Sequence, residues 1–238
     1  MQETKQLITD SKNIYLIPGQ EPEAITATLA LFYTLKNSGK NVNIVVENLP
    51  ENLKFLSPSL DFISYPKNFV ISIPTKVAGV SQIYYEKSDE ALKIYLTIEN
   101  GNIKKENIAF YFSETKPDLI ITVGVQDYSK ELEGKLNSFG FLLDSPILNI
   151  DSSASLTTGK QENQKFGRIN IIEDMPLAEV IDKLGEATSK EAANCLLTGL
   201  VIYTNNFRTN VTSEIFESAG KFMKMGADLK VITENLKI

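Results

Sequence analysis

The chain has no histidine and no tryptophan, and only one cysteine, in 238 residues. Without histidine it loses the commonest metal ligand and the side chain that most often serves as a general base near neutral pH. One cysteine, Cys195, permits no intrachain disulfide, which fits a reducing compartment. It sits in an apolar helical pattern and reads as a buried structural thiol, because no histidine stands by to activate it. The start, Met1-Gln2-Glu3-Thr4-Lys5, has no basic segment leading into an apolar stretch. No run approaches the ~18 apolar residues that would span a bilayer. These absences point to a soluble, cytoplasmic chain without a membrane role. Basic charge is also in deficit. A net charge of −6 does not provide a phosphate-backbone footprint, so broad nucleic-acid binding is disfavoured. What is present is a core: hydrophobic residues make up 42% of the sequence, enough for one large domain.

The patterning predicts an α/β fold, a doubly wound and mainly parallel sheet. Asn13–Ile17 is a short apolar strand turned by Pro18 and Gly19. Pro22 suits a first helical position, and a helix then runs to about Ser38, with Ile25, Leu29, Phe32 and Leu35 on one face. Val42–Val46 returns as a strand, completing a βαβ unit. Asp118–Val125 and Pro146–Ile150 read as buried strands with a short helix near Lys130–Phe139 between them. Helices are predicted over Leu177–Leu184, Ser189–Tyr203 and Val211–Met225. One stretch breaks the rhythm. Within residues 69–113, Phe69–Ile73, Val80–Lys87, Ala91–Ile98 and Glu106–Ser113 read as four strands joined by tight turns. The expectation is one domain over residues 1–238 with an antiparallel meander inserted at 69–113.

Polar residues gather where the buried strands end. Glu21 and Glu23 flank Pro22 at a helix start. Gly124 lies at the end of the Asp118–Val125 strand, with Asp127 three residues on. Asp151, Ser152 and Ser153 close the Pro146–Ile150 strand. Tyr203 ends an apolar helix, and Asn205 and Arg208 follow it. In a doubly wound sheet such strand ends share a crevice where ligands bind. Glu21, Glu23, Asp127 and Asp151 could together form a reduced carboxylate site for a hard cation. Acidic residues beside Pro22 equally suit the exposed amides of a helix start, and that reading is favoured. Ser152 and Ser153 could donate to a phosphate or cap the turn, with capping favoured. Arg208 could hold a phosphate bidentately or lie solvated in its loop.

In order and context, Gly19–Ile25, Asp151-Ser152-Ser153 and Leu197–Arg208 resemble motifs of the DHH phosphoesterase superfamily, which includes RecJ-like nucleases, small-oligonucleotide phosphodiesterases and inorganic pyrophosphatases. That resemblance implies a crevice holding two manganese or magnesium ions that clamp a phosphoester. The family's first-motif histidine falls at Ile17 and its two aspartates at Glu21 and Glu23. The second-motif aspartate falls at Gly124. Asp-His-His becomes Asp151-Ser152-Ser153, and the aspartate of Asp-Thr-Gly falls at Tyr203. Most ligand positions therefore hold residues that bind metal poorly, and no cofactor is expected. The resemblance also implies a second, DHHA1-type domain, which would lie beyond Ile238. The leading expectation is a catalytically inactive member that binds a nucleotide-like ligand or a protein partner. The alternative is a divergent metal-dependent phosphodiesterase or phosphatase acting on short oligonucleotides or nucleotides. The 69–113 meander, rich in aromatic and β-branched residues, is the expected surface for a homodimer or protein partner.

Overall fold

The computed structural model describes residues 2–45, 49–58, 67–114, 116–126, 131, 145–153, 165–185 and 188–237. The chain divides into two compact units, Met1–Tyr65 with Lys116–Ile238, and Pro66–Thr115.

The first unit is built on a five-stranded parallel sheet of β1 (Asn13–Pro18), β2 (Asn41–Ile44), β7 (Leu119–Val123), β8 (Ile147–Ser152) and β9 (Ile169–Glu173). Their order across the sheet is β2-β1-β7-β8-β9. The expected parallel pairing of β7 with β8 is present, with Ile121 opposite Leu148 and Val123 opposite Ile150. The order reverses between β1 and β7: the chain leaves β1 toward one edge, and from β7 onward it builds the other. In an open parallel sheet such a reversal opens a crevice at the carboxyl ends of the strands.

Alternation sorts the strand side chains to the two faces. Ile14, Leu16, Leu119, Ile121, Leu148 and Ile150 point into one cluster, all essentially buried. Against them lie α2 (Pro22–Asn37), α3 (Leu177–Leu184) and α4 (Lys190–Tyr203). Pro22 begins α2 as expected. Ser189 caps α4 by accepting from the Ala192 N–H, and Thr212 caps α5 (Ser213–Lys224) in the same way through Ile215. The opposite face carries Tyr15, Ile17, Ile120 and Val125. The helix expected near Lys130–Phe139 lies outside the described residues, apart from Glu131. Two further helices had no clear periodic signal: α1 (Gln2–Asp10) and α6 (Leu229–Leu236), the latter capped by Asp228. Among the described residues, no helix is long and apolar enough to cross a membrane. Cys195 is fully buried, and burial pushes its thiol up, consistent with an inert core residue.

The second unit is antiparallel, but its pairing is nested rather than sequential, which corrects the expected meander. β3 (Lys67–Ser72) pairs with β6 (Ala109–Glu114), placing Phe69 opposite Phe112. β4 (Ala78–Lys87) pairs with β5 (Leu92–Gly101), placing Ile83 opposite Leu96. These are two separate two-stranded sheets. The tight turn at Ser88–Ala91 makes β4 and β5 a hairpin, with the Ser88 N–H donating to the Ala91 carbonyl at 2.9 Å. Strand patterning shows that four strands exist, but turn length alone does not decide which strands pair.

Candidate functional site

The crevice floor is made of backbone. The Gly19 N–H donates to the Val123 carbonyl and the Gly124 N–H to the Ile150 carbonyl, each at 2.8 Å, so the ends of β1, β7 and β8 are tied together. A Cβ on Gly19 would lie 2.0 Å from the Gly124 carbonyl oxygen, closer than non-bonded atoms can approach. Gly124 has φ of +63° and would carry its Cβ 2.7 Å from that of Ala24. A side chain cannot leave Gly124 without displacing α2. The position of the family's second-motif aspartate is therefore closed to any ligand in this arrangement.

Glu23, in the first turn of α2, is 6% exposed. Its Oε1 accepts from the Leu177 N–H at 2.8 Å. Leu177 opens α3, whose first amides lack acceptors within the helix. The preceding Pro176 has no side-chain oxygen to cap them, and Glu23 does so from 154 residues away. Burial lifts the Glu23 carboxyl to about 7 against the pull of this bond, and the nearby carboxylates of Asp151 and Glu21 push the same way. Asp151, at the end of β8, is also buried, and its Oδ1 accepts from the Ser152 N–H at 2.8 Å. Its carboxyl rises to about 6, through burial first and, against the pull of that bond, the charge of Glu131. Glu21 is exposed, in extended conformation just before α2, and its side chain caps nothing. The helix-start reading thus holds for Glu23 in an unexpected form, as cap to a different helix.

Ser152 is buried and donates its hydroxyl to the Met175 carbonyl at 2.5 Å. Ser153 is exposed; its N–H donates to the Glu173 carbonyl, and its hydroxyl lies 3.3 Å from Asp174 Oδ1. Both serines fasten the end of β8 to the segment between β9 and α3, in keeping with the capping reading.

Tyr203 ends α4 and is buried. Its hydroxyl pKa is raised by burial and by the carboxylates of Glu23, Asp174 and Glu179, which places the ring beside the acidic crevice. The turn after it is unusual. Asn205, Asn206 and Phe207 have φ of 48°, 58° and 56°, a single left-handed turn. Asparagine tolerates this conformation, while for phenylalanine it costs roughly 1–2 kcal/mol. Thr204 holds the turn: its carbonyl accepts from the Arg208 and Thr209 N–H groups, and its hydroxyl accepts from the Phe207 N–H, all at 3.0 Å. Phe207 stacks on Phe216 with centroids 5.7 Å apart. Asn205 and Arg208 are both exposed on this turn.

The structure thus brings together Glu23, Gly124, Asp151, Ser152 and Tyr203, and leaves Glu21, Ser153, Asn205 and Arg208 at the surface. Asp127 lies outside the described residues. Two features were not singled out from the sequence. Glu131 accepts from the Gln126 N–H at 2.8 Å and acts on Asp151. Thr122 donates to Asn149 at 2.9 Å, both fully buried between β7 and β8. Polar residues inside apolar strands were the available signal for this pair.

Among the described residues, the would-be ligand positions do not fit a two-ion centre. Gly124 has no room for a ligand, Ile17 and Tyr203 supply none of the family type, and the Ser152 hydroxyl is committed to Met175. Among the described residues, no three Cys, Asp or Glu side chains are grouped so as to hold a metal ion.

No family model matches the chain. The bifunctional oligoribonuclease and PAP phosphatase NrnA of Thermus thermophilus is 28% identical over 105 residues, which cover 41% of this chain and 30% of that protein. The crystal structure of an exopolyphosphatase-related protein from Bacteroides fragilis superposes with a TM-score of 0.63 at 18% identity, covering 99% of this chain and 60% of that one. The chain shares the α/β fold of that solved structure. The chain spans less than two thirds of the length of either relative.

Proposed function

We propose that this chain is a DHH-like domain that binds without hydrolysing, and that its ligand is nucleotide-like and seated at the carboxyl ends of β1, β7 and β8. The observation that carries this reading is the bond from the Leu177 N–H to Glu23. The best-preserved first-motif acid serves as a helix cap, and burial raises its pKa to about 7, so it holds its proton far more tightly than an ordinary carboxyl. A carboxyl group ligates a divalent cation in its ionised form, with an oxygen free to turn toward it. Closure at Gly124 and the tyrosine at the fourth-motif position support the same reading. The similarity to a PAP phosphatase supplies the ligand class. A reducing, cytoplasmic setting follows the single buried thiol.

The competing reading is a divergent metal-dependent phosphodiesterase or phosphatase. It draws support from the mutual repulsion of Glu23 and Asp151, which a cation would relieve. Calorimetry separates the two. Manganese titrated into the full chain is expected to give no saturable heat, whereas 3′-phosphoadenosine 5′-phosphate binds without metal. Micromolar manganese binding that disappears in Asp151→Asn would establish the competing reading.

A further inference from the structure

The β4–β5 hairpin is amphipathic and uncovered. Ile83, Tyr85, Leu92, Ile94 and Ile98 share one face with Leu96, and these five are between 41% and 73% exposed. The other face is polar and ordered: Tyr84 stacks on Tyr95 with centroids 4.8 Å apart, and the Tyr95 hydroxyl donates to Glu86 at 3.0 Å. A two-stranded hairpin alone is marginal in water, and among the described residues neither of its outer edges pairs with another strand. The register shifts of the hairpin face Ile98–Asn100 of β5. β5 pairs with β4 in unbroken register from Leu92 to Thr97, and both register shifts lie at the Gly79–Gln82 end of β4.

We propose that β5 pairs antiparallel with β5 of a second copy of this chain, about a two-fold axis at Leu96, to give a four-stranded sheet in a homodimer. This proposal is independent of the crevice chemistry. The argument is the self-complementarity of the strand. A two-fold at Leu96 sets Lys93 opposite Glu99 of the second copy, Ile94 opposite Ile98, and Leu96 opposite itself. Every pair except the central one occurs twice, as a two-fold interface requires. Opposite charges and β-branched residues directly across a strand pair are both favourable. Neither Lys93 nor Glu99 has an ion-pair partner in its own chain among the described residues. The β4 edge offers no comparable match. Its charges are the adjacent Glu86 and Lys87, so matching them would centre the pairing at the strand's last residues.

Sedimentation velocity of the full chain at low salt tests this. The wild type is expected to dimerise in the micromolar range. Lys93→Glu sets carboxylate against carboxylate at both symmetry-related positions, and Glu99→Lys sets ammonium against ammonium at both. Each alone is expected to weaken the dimer roughly tenfold or more. When the two variants are mixed, one copy carries only acidic groups at these positions and the other only basic ones, so heterodimers form with near wild-type affinity. Far-UV circular dichroism checks that both variants remain folded. A wild type that stays monomeric throughout would overturn the proposal and assign the face to another occupant. A dimer indifferent to both reversals, or variants whose mixture does not recover, would overturn the β5 pairing.

Discussion

Glu23 shows how an acid at the start of one helix can cap another. Its folded pKa of about 7 stands above the ordinary 4.5. A raised acid binds its proton more tightly folded than unfolded. Its stabilising contribution is therefore complete below about 4.5 and is lost as pH rises through about 7. Asp151 acts in the same direction between 3.8 and about 6. Stability should fall across this window, and at about 1.4 kcal/mol per pKa unit Glu23 alone accounts for about 3 kcal/mol. Glu23→Gln keeps an oxygen for the Leu177 N–H and carries no charge. Thermal unfolding from acid to mildly alkaline pH should show Glu23→Gln matching the wild type at low pH and exceeding it above neutrality. A variant that tracks the wild type at every pH would show that Glu23 does not titrate in the folded protein. The residue was identifiable from its place beside Pro22. Its partner was not, because a contact 154 residues away leaves no local pattern.

The strand ends are where elements, rather than single side chains, set the site. β1 and β7 approach so closely that glycine is required at Gly19 by backbone contact and at Gly124 by both φ and contact. Gly19→Ala should destabilise the chain by about 3 kcal/mol or more, since backbone cannot yield as a side chain can. Gly220→Ala is the control: it lies within α5 with nothing near its Cβ, and should stabilise by about 0.5–1 kcal/mol. Urea unfolding measures both, and equal midpoints for the two variants would refute the close approach. Elements were the most legible level of the sequence. α3 spans the expected residues, and α2, β1 and α4 end within a residue of theirs. Apolar runs and caps encode these boundaries directly. β9 carries only a half-buried pattern at the sheet edge, and went unread for that reason. The pairing of β3 with β6 across the intervening hairpin also escaped, because it depends on contacts distant in sequence.

For the molecule as a whole, an α/β scaffold is joined to a crevice in which Glu23 and Asp151 are buried and engaged with backbone amides. The strand and helix patterning in the sequence indicated the α/β scaffold, and the shared fold bears it out. The motif positions alone do not show what occupies the crevice. That requires the geometry of Gly124 and Glu23. The most direct test is hydrolysis by the full chain of dinucleotides, cyclic dinucleotides and 3′-phosphoadenosine 5′-phosphate with manganese or magnesium at neutral pH. The expected result is no turnover above the metal-only background, in the wild type and in Glu23→Gln alike. Efficient turnover by the wild type that is abolished by Glu23→Gln or Asp151→Asn would contradict it.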